Sequence, residues 1–321
     1  MQRVRIAGGK VTVEDARRAR RPRGHALLAL RVAGICSTDL ELQRGYYGFA
    51  GVPGHEFVAD VVACDDPRWL GKRVVGEINL ACTRCAWCRR GLGRHCPTRS
   101  VLGIVRQPGA FQSLFTLPER NLHRVPDALS DEQAVFVEPL AAACEILEQV
   151  RIERGARVAV LGDGKLAQLV ARVLLVAGAD VALYGRHAHK LALARRAGAS
   201  ARRAGKRLPR KAFELVVDAT GSAQGLAQAV AMCAPRGTVV MKSTVHDRVE
   251  LDSAPVIVDE LTLVGSRCGP FAPALALLAR GAVRVDDLVA DEYALAHARR
   301  AFERAAERGV LKVLLRAAPA V

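Results

Sequence analysis

Apolar and polar stretches alternate regularly over the second half of the chain. From about residue 155 to 285, apolar runs such as RVAVLG, DVALYG and ELVVDATG alternate with longer segments such as KLAQLVARVLLVAG and HKLALARRAG. Short buried strands separated by helices of roughly 10 to 15 residues are typical of right-handed βαβ units. This region therefore predicts a parallel, doubly wound sheet.

The first 125 residues follow a different pattern. They are rich in glycine and proline, and their apolar runs, ALLALRVAGI, FVADVVA and KRVVGEI, are short. That pattern predicts a turn-rich β domain. Near the end the chain returns to a predicted helix, HARRAFERAAERG, and a last strand, VLKVLLR. A length of 321 residues is enough for two such domains.

Hydropathy and charge limit the classes of protein to which this chain can belong. No run of 18 apolar residues occurs, and the N-terminus MQRVRIAGGKVTVEDA has no signal-peptide core, so we expect a cytoplasmic protein without a membrane partner. The net charge is +16, but the basic residues are spread over the whole length. Aromatic residues make up only 4%, which leaves few surfaces for base stacking. We therefore expect no nucleic-acid partner.

Four cysteines lie within the stretch CTRCAWCRRGLGRHC. Cys82, Cys85, Cys88 and Cys96 have the spacing C-x2-C-x2-C-x7-C. Disulfides are rare in a reducing compartment, so clustered thiols there indicate a metal or a catalytic role. Four thiolates can enclose a zinc ion completely, which gives a structural site without catalytic chemistry. An iron–sulfur cluster and unligated thiols are the alternatives.

The first turn of the alternating half reads VLGDGKLAQLVA. Gly162 and Gly164 allow a tight turn and the close approach of a pyrophosphate, which the backbone N–H groups of Lys165 and Leu166 would bind at a helix start. Ala167 replaces the third glycine of the usual pattern and still permits close helix packing. The turn follows a strand and opens a helix, which favours a dinucleotide site over a glycine turn without a ligand.

The end of the second strand bears on the choice of dinucleotide. A carboxylate there would accept a hydrogen bond from the ribose of NAD, but VALYG ends in Gly185 and continues with Arg186. A guanidinium can pair with a 2′-phosphate. The sequence therefore favours NADP over NAD.

Further candidate ligands come from three separate segments, GICSTDLEL, GVPGHEF and FVEPLAAAC. They supply Cys36, His55, Glu56 and Glu138. A thiolate, an imidazole and carboxylates are suitable ligands for a zinc that keeps one position open. Taken singly, each residue is also compatible with a structural role.

Six motifs together resemble a known family. GICSTD, PGHEF, the four-cysteine loop, FVEPL, GDGKLA and VVDATGS occur in the order found in zinc-dependent medium-chain dehydrogenases/reductases of the alcohol, sorbitol, glucose and threonine dehydrogenase type. The resemblance implies an α/β protein with a GroES-like, β-rich catalytic domain at residues 1–125, completed by residues 286–321. Residues 126–285 would then form the Rossmann domain with its doubly wound parallel sheet.

The resemblance also implies roles for single residues. Cys36 and His55 match catalytic zinc ligands, Glu56 matches a ligand or a neighbouring carboxylate, and Glu138 lies where alcohol dehydrogenases have a cysteine ligand. Glutamate at that place resembles the polyol and sugar branch. Thr38 matches the residue that accepts the substrate proton, although a hydroxyl there can also form a simple turn hydrogen bond. The four clustered cysteines match the family's structural zinc lobe.

Together these features predict a zinc-dependent oxidoreductase that prefers NADP and acts on a small-molecule alcohol, polyol or sugar and its carbonyl counterpart. By the resemblance we expect a homodimer or homotetramer with one catalytic and one structural zinc. The alternative is a non-catalytic nucleotide-binding protein of the same fold that retains only the structural zinc. The predicted cofactor-binding residues are Gly162, Asp163, Gly164, Lys165, Leu166, Arg186 and Thr220.

Overall fold

The computed structural model describes residues 1–17, 19–205, 207–245 and 248–318. The strands are β1 (Gln2–Ala7), β2 (Lys10–Asp15), β3 (His25–Gly34), β4 (Glu56–Ala63), β5 (Arg73–Gly76), β6 (Asn79–Leu80), β7 (Ser100–Leu102), β8 (Arg106–Gln107), β9 (Leu114–Pro118), β10 (Leu122–Arg124), β11 (Arg157–Leu161), β12 (Asp180–Gly185), β13 (Ser200–Arg203), β14 (Phe213–Asp218), β15 (Cys233–Met241), β16 (Thr262–Gly265), β17 (Val289–Ala294) and β18 (Lys312–Arg316). The α-helices are α1 (Ser37–Gln43), α2 (Ala86–Arg89), α3 (Asp131–Ala134), α4 (Val137–Gln149), α5 (Lys165–Val176), α6 (Ala188–Arg196), α7 (Gly225–Met232), α8 (Ala254–Val258), α9 (Phe271–Ala279) and α10 (Ala298–Ala306).

The chain divides into two compact units. The first comprises Met1–Glu138, Ala274–Arg280 and Arg284–Val321, and the second comprises Pro139–Pro273 and Gly281–Val283. The sequence places the domain boundaries at residues 125 and 285 instead, and these positions stay a prediction. None of the helices within the described residues is long and apolar enough to cross a membrane.

The first unit contains a mixed sheet in the order β10-β5-β4-β3-β18-β17, with β9 also paired to β3. Neighbouring strands are antiparallel except β17 and β18. In the central strand β3, Gly34 lies opposite Glu56 of β4 on one side and Leu314 of β18 on the other. The end of β3 and the starts of β4 and β18 therefore meet, and this junction carries the candidate metal ligands.

The second unit contains six parallel strands in the order β13-β12-β11-β14-β15-β16. The predicted doubly wound sheet is confirmed. The strand order reverses direction between β11 and β14, and ligands of such sheets bind outside the carboxyl ends of the strands at this point. The strand β13, with the sequence SARR, was not predicted because only Ala201 in it is buried.

The turn before β4 is held by close backbone packing. Gly54 has a φ of +101°, and a Cβ at this residue would lie 2.3 Å from the Phe111 ring. Gly103 and Gly109 also approach this turn, since a Cβ on either would lie within 2.4 Å of backbone oxygens of Pro53 or Gly54. The backbone that carries His55 therefore has little freedom to move.

We expect the substitution Gly54→Ala to destabilise the first unit more than Gly45→Ala does. Gly45 has nearly the same φ, +100°, but nothing lies within 4 Å of a Cβ there, so it reports the backbone strain alone. That strain costs about 1 kcal/mol, and the clash with Phe111 adds about 1–3 kcal/mol. Urea unfolding followed by tryptophan fluorescence measures the loss, because both tryptophans, Trp69 and Trp87, lie in the first unit. Equal losses for the two variants would contradict the packing described.

Candidate active site

Three predicted ligands, Cys36, His55 and Glu56, come together in the first unit. One sulfur, one ring nitrogen and one carboxylate oxygen all lie within 4.8 Å of one another. Cys36 follows the end of β3 and precedes α1, whereas His55 directly precedes β4 and Glu56 is its first residue. His55 and Glu56 are buried and Cys36 is half-buried. The strand junction thus assembles a cluster from segments that are distant in sequence.

A buried carboxylate, that of Asp39, connects the segments that carry these side chains. Its Oδ2 accepts a hydrogen bond from the Cys36 N–H at 2.8 Å, and its Oδ1 accepts one from the Gly54 N–H at 3.2 Å. The same Oδ1 lies 3.4 Å from His55 Nδ1. The sequence pattern did not assign this role to Asp39, although its place in the first turn of a helix behind Cys36 is typical of an N-terminal cap.

The charges of this cluster favour a bound cation. Burial acts to lower the pKa of His55, but Asp39 and the Cys36 thiol outweigh it and hold that pKa well above its ordinary value. Nδ1 of His55 is buried and has no hydrogen-bond partner within the described residues. Zinc takes sulfur, nitrogen and oxygen ligands, and a neighbouring carboxylate commonly orients a ligating histidine. The donor set of Cys36, His55 and Glu56 therefore fits zinc.

A lysine that the sequence pattern did not single out contacts the cluster. The ammonium group of Lys312 pairs with Oε2 of Glu56, and both side chains are buried. Nζ also lies 5.5 Å from the centre of the Phe136 ring. The signal was present in the sequence as a single lysine inside the apolar strand VLKVLLR.

The remaining predicted residues of this site lie at two helix starts. Thr38 is in the first turn of α1, with Oγ1 3.8 Å from Cys36 Sγ. Glu138 is the second residue of α4. It does not belong to the group formed by the other three candidate ligands within the described residues. Metal ligation by Glu138 therefore stays a prediction.

The four clustered cysteines face one another in a lobe of the first unit. All four sulfurs lie within 4.8 Å of one another, and those of Cys85 and Cys88 are 3.4 Å apart. Backbone N–H groups of Arg84 and Cys85 lower the pKa of Cys82 to about 6, while burial and neighbouring thiols raise the pKa of Cys88 to about 12. Four thiolates this close repel one another without a cation, so the geometry suits a closed zinc site.

In the second unit, the predicted dinucleotide turn joins β11 to α5. Gly162 has a φ of +109°, and a Cβ there would lie 2.4 Å from the Ala219 oxygen, so only glycine fits. A Cβ on Gly164 would meet no atom within 4 Å, which leaves the backbone open to a ligand. Lys165 and Leu166 begin α5, whose first N–H groups have no partner inside the helix.

Asp163 reaches from this turn to the end of β12. Its Oδ2 accepts hydrogen bonds from the N–H groups of Arg186 at 2.6 Å and His187 at 2.8 Å. Burial opposes ionisation, but these bonds and the His187 ring hold the pKa of Asp163 below its ordinary value. The strand β12 ends in Gly185 as expected, yet a carboxylate from the turn lies against that glycine.

Thr220 lies at the carboxyl end of β14, beside the dinucleotide turn. Its backbone N–H and its hydroxyl both donate to Oδ1 of Asp218, at 2.9 and 2.8 Å. A Cβ on Gly162 would lie 3.2 Å from the Thr220 nitrogen. The predicted cofactor-binding residues of β11 and β14 therefore meet at the point where the strand order reverses.

Comparison with known proteins covers both units. Residues 22–127 match the alcohol dehydrogenase GroES-like domain, and residues 166–280 match the domain described as zinc-binding dehydrogenase. Among curated proteins, D-arabitol-phosphate dehydrogenase of Enterococcus avium is 27% identical over 317 residues, covering 91% of this chain and 90% of its own. These matches confirm the fold class predicted from the sequence.

Solved structures give the same result over nearly the full length. Alcohol dehydrogenase TADH from Thermus sp. ATN1 superposes with a TM-score of 0.92 and 29% identity, covering 99% of this chain and 100% of its own. A protein of Sinorhizobium meliloti 1021 described as a zinc-binding dehydrogenase and bound to NADP superposes with a TM-score of 0.91, 26% identity and 98% coverage of each chain. With its two domain matches and its clustered zinc-type ligands, the chain belongs to the zinc-dependent medium-chain dehydrogenase/reductase family.

Proposed function

We propose that this protein is a zinc-dependent oxidoreductase that transfers a hydride between a nicotinamide cofactor and an alcohol, polyol or sugar or its carbonyl counterpart. The observation that carries the proposal is the buried cluster of Cys36, His55 and Glu56, which offers zinc-type donors in one place. The similarity to D-arabitol-phosphate dehydrogenase supports a polyol or a related compound as substrate. The non-catalytic alternative gains no support from these relatives.

Two zinc sites follow from the two groups of donors. Cys36 and His55, with Glu56 or Glu138, would hold the catalytic ion, and the four lobe cysteines, Cys82, Cys85, Cys88 and Cys96, would hold the structural ion. When bound at the open site, zinc supplies a Lewis acid that lowers the pKa of an alcohol or stabilises charge on a carbonyl oxygen. The nicotinamide, when bound, accepts or donates the hydride.

The chain's own residues position the donors and handle the proton. Asp39 holds the Cys36 and Gly54 backbone, which keeps the Cys36 and His55 side chains aimed at one point. The hydroxyl of the half-buried Thr38, 3.8 Å from the Cys36 sulfur, accepts the proton of the substrate alcohol at Oγ1 while its own proton passes to solvent. In the reducing direction the same hydroxyl returns a proton to the product oxygen.

We also propose that NADP is preferred over NAD. Arg186 follows β12, and Arg203 of β13 lies opposite Gly185, so two exposed guanidinium groups flank the end of β12. Guanidinium groups pair well with a 2′-phosphate. The nearby Asp163 carboxylate is engaged by two backbone N–H groups and His187, which offsets its negative charge. The NADP-bound relative from Sinorhizobium meliloti supports this choice.

The assembly that we propose is a homodimer or homotetramer. The strand β16 is an edge of the parallel sheet as described, and the preceding helix α8 exposes Ile257 and Val258, with 72% and 76% of their surface accessible. An unpaired strand edge beside exposed apolar residues is a template for pairing with a second copy.

We further propose a cytoplasmic location, where clustered thiols stay reduced. Neither nucleic acid nor a membrane is a partner in this proposal.

The metal content of variants tests the catalytic proposal. We expect about two zinc ions per chain in the natural protein and about one in Cys36→Ala, which should also lose hydride transfer from NADPH to polyol-derived carbonyls. Replacing Cys85 should remove the other ion. The control is Cys64→Ala, because Cys64 belongs to neither cluster and should keep both ions. Two ions and full activity in Cys36→Ala would contradict the proposal.

Cofactor preference is tested at the two arginines. Arg186→Ala and Arg203→Ala should each lower kcat/KM for NADP by about tenfold, because each removes one charged partner of the phosphate. The value for NAD should change little. The matched control is Arg196→Ala, an exposed arginine at the other end of α6, which should affect neither cofactor. Equal losses of kcat/KM for both cofactors would mean that these arginines do not bind the 2′-phosphate.

The oligomer is tested by light scattering of the purified protein. The double variant Ile257→Asp and Val258→Asp should reduce the mass from that of two or four chains towards a smaller assembly, since charges at the interface oppose pairing. A matched control is Leu70→Asp, an exposed apolar residue in the first unit, which should leave the mass unchanged. An unaltered mass in the double variant would place the interface elsewhere.

A further inference from the structure

We propose that Lys312 is a positioning residue of the candidate catalytic metal centre. By pairing with Glu56, it keeps that carboxylate beside the ion held by Cys36 and His55 instead of letting it bind the ion tightly. The inference rests on the proposed function, because it requires a metal at this cluster. It assigns a role to a residue that belongs neither to the candidate ligands nor to the residue that accepts the substrate proton.

Complete burial of the lysine is the first observation. None of the Lys312 surface and 1% of the Glu56 surface is accessible, and the two charged groups are in direct contact. A buried ammonium group is costly unless it is paired, and within the described residues Glu56 is its carboxylate partner. The face of Phe136 provides a second favourable contact for the cation. The ion pair is therefore a stable part of the interior and not a chance surface contact.

The sheet itself brings Lys312 to this place. The Ile35 N–H donates to the Val313 oxygen at 3.0 Å, so the start of β18 runs beside the segment that leads to Cys36. Gly34 provides the space, because a Cβ there would lie 2.5 Å from Glu56 Oε2 and 3.3 Å from Lys312 Nζ. Lysine, glutamate and glycine thus form a matched set on three neighbouring strands.

Glu56 therefore lies beside two positive charges, the ammonium group of Lys312 and the proposed metal ion. One of its oxygens contacts Lys312, while a carboxylate oxygen lies within 4.8 Å of the other two candidate ligands. A carboxylate that already neutralises an ammonium group attracts a nearby metal ion less strongly. Lys312 therefore lowers the negative charge that the site presents, which favours an exchangeable position for substrate over a fourth tight protein ligand.

The test compares Lys312→Met with Lys312→Arg. Methionine has a similar length but no charge, so Glu56 is released to bind the ion. We expect zinc to leave the Cys36 site about tenfold more slowly in a chelator, since removal of one buried charge strengthens metal binding. In the cobalt-substituted protein the visible absorption should change in intensity and position, which reports altered coordination. Arginine keeps the charge and should retain the natural release rate and spectrum.

A double variant shows whether the effect passes through Glu56. In Lys312→Met combined with Glu56→Gln, both charges of the ion pair are removed together, and the release rate should return to within about threefold of the Glu56→Gln variant alone. This variant also provides a folded comparison if Lys312→Met alone fails to fold. Slow release that persists in the double variant would overturn the role of Glu56.

The outcomes separate this inference from the proposed function. The phase of zinc release that is missing in Cys36→Ala identifies the catalytic site in every variant. If that phase exists but neither its rate nor the cobalt spectrum changes in Lys312→Met, the positioning role is wrong and the proposed function stands. If Lys312→Met is unfolded, the deciding comparison is the double variant with Glu56→Gln, and release more than about threefold slower in the double variant shows that the positioning role is wrong. If the phase is absent from the natural protein, the metal centre itself is wrong and both proposals fall.

Discussion

The candidate metal centre depends on one buried carboxylate, that of Asp39. It accepts hydrogen bonds from the backbone at Cys36 and at Gly54, and it faces the ring of His55. These three contacts join the segment after β3 to the segment before β4. Because Asp39 is completely buried, no water competes for these contacts, and the two candidate ligands share one fixed anchor.

The charges around this anchor are tolerated because each has a partner. Glu56 pairs with Lys312, and Asp39 is satisfied by two N–H groups beside an imidazole. Removing one member of such a set leaves another charge buried and unpaired, which costs more than the pair itself contributes. The same reasoning applies to the four-cysteine lobe, where neighbouring thiolates require a cation between them. The buried charged groups of this protein therefore indicate sites for metal ions, and they contribute little to the stability of the fold.

Features encoded locally could be predicted from the sequence. The alternation of strands and helices predicted the parallel sheet, and the cysteine spacing predicted a cluster, because neighbours in sequence determine both. The prediction that Cys36 and His55 lie at one site came from the resemblance to a family and not from the periodicity of the sequence. The strand SARR was missed because its pattern is polar. Cofactor binding by Asp163 stays a prediction, and the sequence pattern did not reveal its hydrogen bonds at the end of β12.

Contacts between distant strands could not be predicted. Lys312 and Glu56 are 256 positions apart, and their contact exists only because β18 and β4 flank β3. The role of Asp39 likewise depends on the turn at Gly54, which is fixed by Phe111 and by the backbones at Gly103 and Gly109. A single sequence offers a lysine in an apolar strand or an acid at a helix start, but it does not reveal their partners.

The most direct test of the account is a crystal structure of the natively purified protein with anomalous diffraction measured on both sides of the zinc absorption edge. The account predicts two zinc peaks per chain, one enclosed by the four lobe cysteines and one bound by Cys36 and His55, with the ammonium group of Lys312 still on Glu56. A single peak in the lobe, with Cys36 and His55 free of metal, would contradict the account and favour a protein that binds nucleotide without catalysis.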